Sequence, residues 1–122
     1  MSPGPSAIHA LIYEVPKGEA ASYGMIASLI PGCGPRQVAR ALWTAPKDLP
    51  WYRIVTASGA PADHDGAEEQ RRRLKKEGVV FRKSGAVDWA QSRWKGPSQN
   101  WIDRTGRDLH EVMEIIASWG RT

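Results

Sequence analysis

A single cysteine, Cys33, leaves this 122-residue chain with no intramolecular disulfide and no cysteine-based metal site. That suits a reducing compartment, and a cytoplasmic location is expected. The three histidines, His9, His64 and His110, lie far apart and match no ligand spacing, so neither a metal nor another cofactor is expected. No apolar run reaches the roughly 18 residues that suggest a membrane span. The opening Met1-Ser2-Pro3-Gly4-Pro5 has neither the charged start nor the apolar core of a signal peptide. Internal repeats and low-complexity tracts are missing as well.

What remains is one domain's worth of chain, 41% apolar, enough for a small core. Lys and Arg outnumber Asp and Glu by 17 to 13, and the pI is near 9.5. This balance favours a polyanionic partner. Charge alone does not decide it, since many soluble proteins with a net charge of +4 touch no nucleic acid.

Periodicity outlines the elements. Ser6 is placed to cap a first helix, with Ile8, Leu11, Ile12 and Val15 at the 3.6-residue repeat and Pro16-Lys17-Gly18 ending it. Ser22 is a good cap for a second helix with Tyr23, Ile26, Ala27 and Ile30 on one face. After the Pro31-Gly32-Cys33-Gly34 break, Pro35 suits the first turn of a third helix running to about Trp43. Helix, turn, helix is a pattern whose second member commonly enters a DNA groove. Residues 51–55 alternate like a short strand, residues 57–66 read as a loop, and a charged helix is expected from Ala67 to Lys76. A short strand at 79–81 follows. Beyond Trp94, Gly96-Pro97-Ser98 reads as a linker, and Leu109, Val112, Met113 and Ile116 mark an amphipathic helix.

The segment Pro50-Trp51-Tyr52-Arg53, between Leu49 and Ile54-Val55, resembles the active-site segment of the O6-alkylguanine-DNA alkyltransferases. Their frame reads Pro-Cys-His-Arg, and the cysteine takes the alkyl group from a flipped guanine. Trp51 stands at the cysteine position and Tyr52 at the histidine position. An indole has no nucleophilic sulfur, so the likeness is to the alkyltransferase-like proteins, which bind the damaged base without repairing it. Further pieces fall in the family's order. Ser22-Tyr23-Gly24-Met25-Ile26-Ala27 resembles its entry motif, and Pro35-Arg36-Gln37-Val38-Ala39-Arg40 its recognition helix. Ala67-Glu68-Glu69-Gln70-Arg71, Lys76-Glu77-Gly78-Val79 and Gly85-Ala86-Val87-Asp88 to Trp94 complete the match over roughly residues 7–95.

The resemblance implies a mainly α, winged-helix-like domain over residues 1–95, with a helix-turn-helix and small β elements. Residues 96–122 would be a linker and an added amphipathic helix, dispensable for DNA binding. It implies a DNA interface of Tyr23, Arg36 and Gln37, to which Arg40, where many relatives have a small or neutral residue, would add a phosphate contact. Arg36 would fill the hole left by the flipped base, although from sequence alone a solvated surface arginine is the plainer reading. Tyr23 would press on the phosphate beside the target nucleotide or pack on the core, or both. Trp51, Tyr52, Arg53 and Tyr23 would form the lesion pocket, with residues 60–66 as the base-binding loop. In the enzymes the histidine links a glutamate to the thiol. Glu77 matches that glutamate and is read as structural, with Arg53 bracing the pocket. The partner expected is double-stranded DNA containing O6-alkylguanine, bound by a monomer, with hand-over to nucleotide excision repair proteins. Two rivals stay open: a helix-turn-helix module without lesion specificity, and an alkyltransferase using Cys33.

Overall fold

The apolar spacing of the first segment is realised in the computed structural model, which describes residues 5–61 and 66–120. Ile8, Leu11 and Ile12 form the buried stripe of α1 (Pro5–Ile12). Ser6 lies inside that helix instead of capping it, and Val15 reaches the core from the turn that follows. Ser22 does cap α2 (Tyr23–Ser28), its Oγ accepting the Met25 N–H at 3.1 Å. Pro35 opens α3 (Pro35–Trp43), where Val38 and Ala41 are buried. Helices α1, α2 and α3 pack on one another around these side chains, giving the expected helix-turn-helix in a mainly helical domain.

The β structure is smaller than the alternation suggests. Residues Trp51–Arg53 form a 3-10 turn, and only Ile54–Val55 is a strand, β2, paired in parallel with β1 (Ala21–Ser22). The expected strand at 79–81 is reduced to one bridge between Phe81 and Val87. A two-residue strand cannot display a period, so local propensity at residues 51–53 yielded to the turn that starts at Pro50. The charged helix occupies its expected span as α4 (Ala67–Lys76). It buries Leu74 and Gln70, and Leu74 joins Ala20, Val55, Val79 and Val87 in a second, smaller core. Helix α5 (Trp89–Ser92) follows, and Trp94 donates its backbone N–H to the Ala20 carbonyl at 2.8 Å.

The described part of the tail, residues 96–120, packs on the rest of the domain. Two helices lie there, α6 (Gln99–Thr105) and α7 (Leu109–Ser118), and α6 had no counterpart in the sequence reading. Trp101, Ile102 and Val112 belong to the main core beside Ile8, Leu11 and Leu29. Trp119 stacks on Trp94 with ring centroids 5.5 Å apart and donates from Nε1 to Ser28 Oγ at 3.0 Å. Arg107 donates to the Leu29 carbonyl, so these residues hold the end of α2 where the chain turns toward α3. Of the apolar stripe of α7, Val112 is buried and Ile116 is partly buried against the main core.

Candidate functional site

Helix α3 presents two opposite faces. Val38, Ala41 and Leu42 face the core, while Arg36, Arg40 and Trp43 are exposed. At about 100° per residue the exposed three lie within roughly 60° of one another, opposite Val38. Arg36 and Arg40 make no ion pair among the described residues, so both guanidinium groups face water. Gln37 is differently employed. Its Oε1 accepts the Gly34 N–H at 2.7 Å and closes the start of the helix, leaving the side-chain amide nitrogen for other contacts.

The 51–53 turn is held from behind by one carboxylate. Arg53 donates to Glu77 through Nε at 2.9 Å and Nη2 at 2.6 Å, and Tyr52 Oη donates to Glu77 Oε2 at 2.7 Å. A third Arg53 bond, from Nη1, reaches the Val15 carbonyl at 2.9 Å. Both side chains of the ion pair are mostly buried, at 15% and 10% exposure. Burial pushes the Glu77 carboxyl up, but hydrogen bonds from Arg53 and Tyr52 outweigh this and hold it below its ordinary value. The Tyr52 phenol is pushed up by burial and by donation to Glu77, so it keeps its proton at neutral pH. Glu77 and Arg53 together tie the turn to the Val15 carbonyl.

Gln70 is the positioning residue that sequence reasoning missed. It is 1% exposed, and its Nε2 donates to the carbonyls of Tyr52 at 3.1 Å and Ile54 at 2.7 Å. The signal available was its place four residues before Leu74, on the buried stripe of α4. Trp51 is half-buried and meets Tyr52 edge to face, with centroids 6.0 Å apart. Ala21 pairs with Ile54 and Ser22 with Val55, which sets the start of α2, and with it Tyr23, beside the end of the 51–53 turn. Burial raises the Tyr23 phenol, so it too stays neutral and able to donate. An open cavity of about 240 Å³ is lined by Lys17, Tyr52, Arg73, Lys76 and Glu77; Trp51 and Tyr23 do not line it. Within the expected base-binding loop, residues 62–65 lie outside the described residues, as does His64 among the histidines.

The family model for the DNA-binding domain of 6-O-methylguanine DNA methyltransferase matches residues 5–79. The chain belongs to this family. Among similar curated proteins is the DNA base-flipping protein of Escherichia coli K12, 31% identical over 94 residues, covering 74% of this chain and 73% of that protein. Its counterpart in Vibrio parahaemolyticus is 30% identical over 93 residues, 72% of this chain and 92% of the relative. Among solved structures, S. pombe Atl1 in complex with damaged DNA containing O6-carboxymethylguanine superposes with a TM-score of 0.62 at 26% identity. A second S. pombe structure, in complex with DNA, gives 0.64 at 25%. Each match covers 75% of this chain and 94% of the solved one. These relatives place the likeness in the alkyltransferase-like branch of the family.

Proposed function

We propose that this protein recognises O6-alkylguanine in duplex DNA, extrudes the base and holds it without transferring the alkyl group. The observation that carries this reading is the cationic face of α3: Arg36 and Arg40, exposed and without ion pairs among the described residues, on a helix-turn-helix like that of a relative solved on O6-carboxymethylguanine DNA. Arg36, in the first turn, enters the minor groove and replaces the stacking of the extruded base. The neutral Tyr23 hydroxyl sits beside the turning phosphate, Arg40 adds a phosphate contact, and Trp51 offers its flat face to the purine. Handing the lesion to nucleotide excision repair proteins belongs to this reading, as does action as a monomer.

No alkyl acceptor is proposed. Trp51 has no thiol, and burial pushes the Cys33 thiol up, away from the reactive thiolate, with its S–H directed at the Gly34 carbonyl at 3.6 Å. The deciding experiment compares affinity for duplexes with guanine and with O6-methylguanine at one salt concentration. Preference for the modified duplex is expected, because a weakened pair lowers the extrusion cost of a few kcal/mol. Affinity for both should fall as salt rises. Arg36→Ala and Tyr23→Ala should each weaken lesion binding by about tenfold, and Lys75→Ala far less. Equal affinity for the two duplexes would leave only a generic helix-turn-helix binder.

Restoring the thiol alone should not restore an efficient alkyltransferase. A free cysteine titrates near about 8.5, and in Trp51→Cys its neighbour would be a phenol that keeps its proton. Adding Tyr52→His supplies a base that Glu77 can orient. Single-turnover transfer from O6-methylguanine DNA should be much faster for the double variant. Equal rates for single and double variants would remove Tyr52 as the block.

A further inference from the structure

Trp43 closes the exposed face of α3, and it is out of keeping with the rest of the surface. It is 84% exposed, against 53% for Met113, the next among the exposed large apolar side chains. An indole left almost wholly in water has apolar area to bury on a partner. Its place names the partner. Trp43 shares a stripe with Arg36 and Arg40, and α3 carries no acidic residue. That face is continuous with the interface proposed above and complementary to a polyanion. Trp43 lies seven positions beyond Arg36, so about 10 Å along the helix axis. That is roughly three steps of about 3.4 Å along a DNA strand.

We propose that Trp43 is a second duplex contact, lying flat in the minor groove about three base pairs from the extruded nucleotide; this rests on the docking of α3 proposed above. An aromatic suits that end of the helix. The carbonyl end carries partial negative charge and disfavours a direct phosphate contact, whereas an indole meets sugar faces and base edges without needing charge. Arg36 then governs extrusion, while Trp43 adds grip on any duplex.

The test is Trp43→Ala, with Trp43→Phe beside it, measured on guanine and O6-methylguanine duplexes over a salt series. Circular dichroism verifies folding, which a residue this exposed should not disturb. Trp43→Ala is expected to weaken binding to both duplexes by the same factor, about tenfold, and Trp43→Phe by less. The lesion-to-normal ratio and the salt slope should not change, since no charge is removed. Unchanged affinity in Trp43→Ala overturns the proposal. A loss confined to the O6-methylguanine duplex also overturns it, by moving Trp43 into the extrusion step. So does a wild-type dimer in sedimentation that Trp43→Ala dissolves without altering DNA affinity. If wild-type protein binds both duplexes equally, the lesion reading fails, while the Trp43 contact is still decided on the normal duplex.

Discussion

Removing residues 96–122 is expected to unfold the protein instead of trimming it. Trp101, Ile102 and Val112 would leave the main core, and Trp94, now 1% exposed, would lose the ring of Trp119. Each large buried side chain contributes about 1.5–3 kcal/mol, against a total domain stability of about 5–15 kcal/mol. The shortened chain should therefore lack a cooperative thermal transition near that of the full protein and be cut rapidly by protease. Trp101→Ala gives the graded version, with an expected cost of about 3–5 kcal/mol in denaturant unfolding. A chain ending at Lys95 that melts within a few degrees of the full protein would show that α6 and α7 add nothing to the core.

The next largest effect is expected at Glu77. Glu77→Ala leaves the Arg53 guanidinium mostly buried with only the Val15 carbonyl, and leaves the Tyr52 hydroxyl without its acceptor. Breaking a buried pair from one side costs about 3–5 kcal/mol, and the residual exposure here puts the expectation near the lower end. Lesion binding should fall as well, because the turn that presents Trp51 loses its anchor. The sign of the pH dependence follows from the carboxyl being held below its ordinary value in the fold. Its stabilisation is fully present above about pH 4.3 and is lost as pH falls through the lower folded value. In Glu77→Gln that part of the acid slope should vanish. Matching acid-unfolding curves for wild type and Glu77→Gln would remove Glu77 from the account.

Helices were legible in the sequence where a stripe and a boundary signal agreed. Ser22 with Ile26 and Ala27, Pro35 at the head of a helix running to Trp43, and the span 67–76 all came out as read, because cap chemistry and apolar period are both local. Within the expected 51–55 strand only Ile54–Val55 is one, and residues 51–53 were misread because their conformation is imposed from elsewhere, by Gln70 donating to the Tyr52 and Ile54 carbonyls and Glu77 gripping the Tyr52 and Arg53 side chains. The role of residues 96–122 was hidden for a related reason. An amphipathic stripe states that a face will be covered, and the residues the tail meets, Leu29 and Ser28 among them, lie 78 and 91 residues earlier. The motif frame singled out Arg36, Arg53 and Glu77 as candidate residues. It gave no hint that Gln37 would close its own helix or that Trp43 would stand in water.

The parallel pairing of Ala21 with Ile54 and Ser22 with Val55 also orders events in time. Helices α1, α2 and α3 join through short connections and can form early, whereas the strand pair must close a long stretch of chain before it is rewarded. Gln70 and Glu77, which fasten the turn, come later still in the sequence. A chain caught part-way through folding therefore has a cationic helix-turn-helix before it has a fixed turn at Trp51. On the function proposed above, grip on the duplex would precede the means of telling one guanine from another, and discrimination would be a property of the finished molecule alone.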